Sequence, residues 1–174
     1  MMVDQTPDRL LAELHAARHL TMAETGARAS ISMADLWAHV RRAPDQPVSL
    51  TVQRLLRDDP SVARRYRAMV QGVAMAHSPG ALAAADGTVR RVVGDMVLEL
   101  LAETDENPLL VIRNVPDPSP KAVELVADSG TALRLALPPQ DGGAIIVSLA
   151  SGVPDARAAL GLLQDPATAI FLLP

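Results

Sequence analysis

The chain has 174 residues and a net charge of −4; 49% of its residues are hydrophobic, but only 2% are aromatic. This length fits one domain or two small ones, with a core of aliphatic side chains. The absence of cysteine excludes disulfides, thiolate metal sites and cysteine nucleophiles, and it favours a reducing compartment. We therefore predict a cytoplasmic protein, since no signal peptide or membrane-spanning run is visible.

The first half of the chain has a helical period. Capping-type residues start four amphipathic patterns, at Thr6, Ser30, Ser49 and Asp59. The fourth, Pro60–Ala76, has the clearest apolar stripe, in which Val62, Tyr66 and Val70 recur on one side. Residues Ala81–Gly87 are typical of a linker. These patterns predict a small helical bundle in a domain at 1–85.

From Thr88 the hydrophobic period changes to two, which is typical of half-buried strands. The predicted strands are Val89–Val93, Met96–Glu103, Leu109–Val115, Ala122–Ala127, Thr131–Leu137, Ala144–Leu149 and Ala169–Leu173. A short helix is predicted at 154–163. Seven short strands at this spacing predict an antiparallel β-sandwich in a second domain at 86–174, so the fold class is α+β.

Charge divides with the hydrophobic period. Residues 1–87 hold ten Arg against nine acidic residues, a net charge of +1, and residues 88–174 hold six basic against eleven acidic residues, a net charge of −5. The arginines cluster in Arg41–Arg67, a span that contains seven Arg and only three acidic residues. A guanidinium group binds carboxylates and phosphates through its planar fork, so the cluster indicates an acidic partner, unless it is only a solvated face.

Nucleic acid is the alternative partner for this cluster, through a helix pair at Ser49–Arg57 and Pro60–Ala76. The acidic pair Asp58-Asp59 at the turn and the acidic chain as a whole disfavour it. We therefore predict a protein partner with an acidic surface. The predicted partner-binding residues are Trp37, Arg41, Arg42, Arg54, Arg57, Arg64 and Arg67. Solvent-facing Val97 or Leu101 would also allow a homodimer.

Other motifs point to ordinary structure. His15 and His19 lie four apart on the first predicted helix, but no further ligands accompany them, so we predict no metal site. The acidic stretch Glu103–Glu106 and the turn Asp141–Gly143 are typical of loops, and no phosphate-binding loop or nucleophile motif occurs. We therefore predict no catalytic residue and no cofactor, and a hydrolase with an unrecognised site ranks last.

The segment Val52–Met69 contains a leucine pair, an Asp-Pro break and a second amphipathic helix. With Leu36 and Trp37 on the preceding helix, it resembles the helical domain of bacterial anti-sigma factors over residues 31–76. The zinc-binding His and Cys pattern of one branch and the membrane span of another are missing. The resemblance therefore implies a soluble, metal-free variant whose helical half clasps a sigma factor. The prediction is a non-enzymatic regulator that acts by binding another bacterial protein.

Overall fold

Three helices precede all the described strands in the computed structural model, which describes residues 31–79, 89–101, 107–150, 152 and 155–174. These residues form helices and two antiparallel sheets, so the predicted α+β class is confirmed. The segment Met33–Pro174 is one compact unit. The predicted first helix, with His15 and His19, lies outside the described residues. The predicted boundary at 85/86 does as well, and the division into two domains stays a prediction.

The first three helices are α1 at Met33–Arg41, α2 at Leu50–Asp58 and α3 at Pro60–Val73. Capping residues occupy the predicted positions at the starts of α2 and α3. The Ser49 hydroxyl accepts a hydrogen bond from the Val52 amide at 3.4 Å, and the Asp59 carboxylate accepts one from the Ser61 amide at 2.8 Å. Pro60 takes the first position of α3, where no amide hydrogen is needed. Local chemistry therefore sets the starts of α2 and α3.

The fourth predicted helix, Pro60–Ala76, is too long. The helix α3 ends at Val73, and the chain then forms a short strand, β1, at Ala76–Ser78. The Met75 amide, which a longer helix would have used internally, donates to the Leu172 carbonyl at 2.8 Å. Pairing with a distant strand therefore outweighs the local helical pattern at this position.

Two four-stranded sheets contain all the strands of the described residues, and every pair is antiparallel. Sheet 1 has the order β1-β8-β5-β6, and sheet 2 has the order β2-β3-β4-β7. The strands after β1 are β2 Val89–Val93, β3 Met96–Leu101, β4 Leu109–Arg113, β5 Ala122–Val126, β6 Ala132–Ala136, β7 Ala144–Ser148 and β8 Ala169–Leu173. All seven predicted strands are thus present, within two residues at each end. Helix α4 spans Ala156–Gln164, close to the predicted 154–163.

The two sheets share one apolar core. Sheet 1 contributes Val123 and Leu125 from β5, and helix α4 contributes Leu163. Sheet 2 contributes residues from all four of its strands, among them Val93, Met96, Leu98, Leu100, Leu110, Ile112 and Ile145. Because side chains alternate along a strand, Glu124 points to the opposite face of sheet 1. In the strand register it lies beside Arg134 and Phe171 on that second face.

The hairpin of β5 and β6 contacts all three of the first helices. Arg134 donates to the Val40 carbonyl at the end of α1, and Glu124 accepts from Tyr66 of α3. At the turn, Gly130 packs against the last residues of α2 with a φ of +82°. A Cβ atom there would lie 1.9 Å from the Leu56 carbonyl oxygen, so only glycine fits this approach. The hairpin therefore positions the helices that carry the arginine cluster.

Candidate functional site

Helix α1 presents apolar and cationic side chains on one exposed side. Met33 is 52% exposed, and Trp37, one turn later, is half-buried. Arg41 follows after another turn, and its guanidinium carbon lies 5.0 Å from the centroid of the Trp37 ring, a cation–π contact. Because residues four apart share a helix face, these three side chains form a continuous row, which we call the α1 strip.

Arg42, although next in sequence, lies inside the molecule. It is 9% exposed, and it donates to the His39 carbonyl at 2.9 Å. One of its terminal nitrogens also lies 4.0 Å from the Glu124 carboxylate. This predicted partner-binding residue therefore holds the end of α1 against sheet 1.

Three of the predicted arginines are exposed and unengaged. Arg54 and Arg57 on α2 and Arg64 on α3 have no hydrogen bond, ion pair or ring contact within the described part of the chain. Their neighbour Arg65 donates back to the Ser61 carbonyl at 3.4 Å. Free guanidinium groups keep all their donors available for an incoming carboxylate. We call Arg54, Arg57 and Arg64 the free arginines.

Arg67 faces the β5–β6 hairpin instead of solvent. It donates to the Ala127 carbonyl and forms an ion pair with Asp128 at 2.9 Å. Its side chain is 27% exposed, against 72% for Asp128. The structure therefore divides the predicted site, because Arg42 and Arg67 are engaged internally while the α1 strip and the free arginines face solvent.

A buried polar cluster links the helices to sheet 1, and it was not predicted. Glu124 of β5 is fully buried, and its carboxylate accepts hydrogen bonds from the Tyr66 hydroxyl and the Arg134 guanidinium. Arg134 also donates to the Val40 carbonyl at 3.1 Å and to the Arg42 carbonyl. Burial and the charge of Glu124 raise the pKa of Tyr66, so its hydroxyl stays a donor. We call this cluster, together with His39, the Glu124 hub.

His39 is the titratable group of the hub whose ring nitrogen lacks a hydrogen-bond partner among the described residues. It is 5% exposed, its ring lies 5.6 Å from the Tyr66 ring, and its Nε2 atom has no hydrogen-bond partner among the described residues. Burial, together with the positive charges of Arg42 and Arg134, lowers the pKa of His39 to about 4. The imidazole is therefore neutral near pH 7.

A second buried arginine, Arg91 of β2, closes the end of helix α4. It is 5% exposed and donates to the carbonyls of Leu163, Asp165 and Thr168. Burial lowers the pKa of Arg91, and the nearby Asp165 opposes that shift. A cation at the C-terminal carbonyls of a helix is favourable, so Arg91 has a structural role that ties sheet 2 to α4.

One cavity among the described residues is too small for small-molecule chemistry. A cavity of about 10 Å³ lies beside Arg91, between Leu98 and Leu163. It has room for about one water molecule, whereas ligand pockets are roughly thirty-fold larger or more. Within the described ranges no group of three or more His, Asp or Glu side chains could hold a metal ion. The same ranges contain no helix long and apolar enough to cross a membrane.

Three comparisons with known proteins found no match: no family model, curated protein or solved structure matches the chain. The functional reading therefore depends on the geometry alone. That geometry separates an internal polar cluster, the Glu124 hub, from an external set of groups, the α1 strip and the free arginines. Only the external set can meet a partner without unfolding the protein.

Proposed function

We propose that this protein is a non-enzymatic interaction module, which binds another protein through the exposed sides of α1, α2 and α3. The partner surface is acidic. Apolar contact at Trp37 provides anchoring, and the arginines set orientation and association rate. The proposed location is the cytoplasm, and the proposed biological role is regulation by sequestration, for which a sigma factor is the specific candidate.

One observation carries this proposal. Four arginines in the described part of the chain have no partner, and three of them are the free arginines of α2 and α3. Every other described arginine is engaged with a carboxylate, a carbonyl or the Trp37 ring. Because the other guanidinium groups of α1, α2 and α3 have partners, these three remain available for an external acidic group.

The proposed architecture assigns separate tasks to the layers. The helices α1–α3 form a small bundle on the second face of sheet 1, and the two sheets pack as a β-sandwich. The shared core supports the sandwich, because residues of both sheets belong to it. The contacts of the β5–β6 hairpin with each helix support the bundle. In this architecture the sandwich is a rigid base and the helices are the binding layer.

Binding of duplex DNA, the alternative, has less support. Duplex binding would use Arg67 together with the free arginines. Arg67, however, is paired with Asp128 and points to the hairpin. The carboxylates of Asp58 and Asp59 lie between α2 and α3, where a helix pair would approach the phosphates. Both features raise the cost of placing a polyanion on this surface.

A capture experiment tests the proposed function. The native protein, cross-linked in the cells that express it, is expected to retain a stoichiometric protein after nuclease treatment. The triple variant Arg54→Glu/Arg57→Glu/Arg64→Glu is expected to lose that protein, because the reversed charges repel an acidic surface.

Arg157→Glu is the matched control, since Arg157 on α4 is also exposed and unengaged. This variant is expected to retain the partner. Equal capture by the triple variant and the native protein would overturn the proposal. Tight, steeply salt-dependent binding to duplex DNA, without a captured protein, would instead support DNA binding as the function.

A further inference from the structure

The exposed side of the helical layer limits the form of partner that it can accept. The backbone groups of α1, α2 and α3 are satisfied within the helices, so they offer no row of donors and acceptors to an extended chain. A strand lying there would leave its own backbone groups to water alone, whereas strand addition needs a free sheet edge. A helix satisfies its own backbone and can pack by side chains only.

The α1 strip supplies the chemistry for such packing. Met33 and Trp37 are apolar and lie one turn apart, and Arg41 continues the row at the next turn. The cation–π contact places the guanidinium of Arg41 over the Trp37 ring. Tryptophan and arginine are the residue types most enriched at binding hot spots.

Arginines outnumber acidic residues on the three helices. The free arginines lie on the two helices that follow α1, and Arg41 lies at the end of α1. From Met33 to Val73 the chain holds seven Arg and four Asp, a net charge of +3. Arg42 and Arg67 are paired with acids of sheet 1 and its hairpin, so the remaining five Arg exceed the four Asp by one.

We propose that the occupant of this surface is an acidic amphipathic helix of the partner protein, with its apolar stripe on Met33 and Trp37 and its flanking carboxylates on Arg41 and the free arginines. This inference rests on the proposed function and makes it specific. It assigns Trp37 as the anchor and the free arginines as the groups that select an acidic helix over a neutral one.

Three synthetic peptides of roughly 18 residues, about five helical turns, test the inference. The first has leucines at helical spacing flanked by Glu. The second has the same composition, but its leucines alternate with polar residues so that no helical stripe exists. The third keeps the stripe and replaces each Glu by Lys. Affinity for the full chain is measured by fluorescence anisotropy at two salt concentrations.

The first peptide is expected to bind, the third is not, and the second is expected to bind at least tenfold more weakly. Trp37→Ala is expected to weaken binding of the first peptide about tenfold or more. Met33→Glu, at a half-exposed position, gives the same direction without removing a ring that contributes to folding. Arg157→Glu is the control and leaves the affinity unchanged, and thermal unfolding verifies that each variant is folded.

The outcomes separate the inference from the proposed function. If the second peptide binds as well as the first and both depend on the free arginines, the proposed function, an acidic partner, is supported. The inference that this partner binds as a helix is then overturned. If neither acidic peptide binds, or if duplex DNA competes more strongly than either, both fall. A dimer that sedimentation detects without peptide, and that Trp37→Ala dissociates, would give the surface to a second copy and overturn the inference.

Discussion

One face of sheet 1 packs by apolar contact, whereas the other adds a buried polar cluster to its apolar contacts. One face places Val123 and Leu125 in the apolar core shared with sheet 2, whereas the other places Glu124 against the helices. Apolar burial is strong but has no preferred direction, so neighbouring side chains can repack after a substitution. Charged hydrogen bonds require particular atoms at particular distances. The comparison indicates that the first face stabilises the fold and the second sets where the helices lie.

The largest effect is expected from removing the carboxylate of the Glu124 hub. Glu124→Ala leaves the guanidinium of Arg134 buried without its counter-charge and the Tyr66 hydroxyl without its acceptor. A broken buried pair typically costs about 3–5 kcal/mol of unfolding free energy, which chemical denaturation measures. The double variant Glu124→Leu/Arg134→Met is expected to be more stable than Glu124→Ala, because the Arg134 charge is removed with its partner and only Arg42 loses its counter-charge. A loss below about 1 kcal/mol for Glu124→Ala would contradict the proposed division between the faces.

The apolar face is expected to respond slightly less to truncation. Leu125 is completely buried, so Leu125→Ala leaves a cavity and should cost about 3 kcal/mol. The contrast with the polar face lies in the conservative changes. Leu125→Met should cost under about 1.5 kcal/mol because cores tolerate shape changes at constant volume. Glu124→Gln, equally close in shape, removes the charge and should cost more than Leu125→Met. A larger loss of unfolding free energy for Leu125→Met than for Glu124→Gln would contradict the proposed difference between the two faces.

The polar face should also be the one that responds to acid. The pKa of His39 is lowered to about 4 in the fold, from its ordinary 6.5. The unfolded chain therefore binds more protons than the folded one between pH 6.5 and 4, and stability falls as the pH falls through this window. The loss is roughly 2–3 kcal/mol by linkage.

The measurement is unfolding free energy against pH for the native protein and for His39→Asn. The variant should give a flatter profile between pH 4 and 6.5, whatever its absolute stability. Parallel profiles would mean that His39 is protonated equally in both states, and the position of the imidazole among Arg42, Arg134 and Tyr66 would then have no energetic consequence.

The smallest effect is expected at the rim of the polar face. The ion pair of Arg67 with Asp128 is solvent-exposed on the acidic side, so Asp128→Asn should cost under about 1 kcal/mol. High salt should reduce even that difference, since exposed pairs are screened. A loss comparable with that of Glu124→Ala would show that the hairpin tip, and not the hub, is the main attachment of α3.

The elements of the fold were predictable because their signals are local. Strands β2 to β8 follow a period of two, and the starts of α2 and α3 follow capping residues. Strand β1 was missed, since three residues directly after a helix are too few to establish a period. Its formation depends on β8, which is remote in the sequence.

The Glu124 hub was not predicted, because its partners are far apart along the chain. Tyr66 lies 58 positions from Glu124, and Arg134 lies 94 positions from Val40. One local signal was available: a glutamate interrupts the otherwise apolar strand Ala122–Val126, and a buried charge needs a partner. Arg54, Arg57 and Arg64, predicted as partner-binding residues, are solvent-exposed, whereas the inward turns of Arg42 and Arg67 have no local signal in the sequence.

The order of sheet 1 has a consequence for the protein during its synthesis. Strand β1 pairs only with β8 in the described chain, and β8 follows it by about 90 residues. At cellular elongation rates that interval lasts roughly 5–20 s. In the first half of it, before Glu124 and Asp128 are synthesised, Arg42 and Arg67 have no counter-charges. The nascent helices are then a basic segment with a net charge of +3, and an acidic chaperone or partner that reaches them early meets all seven arginines.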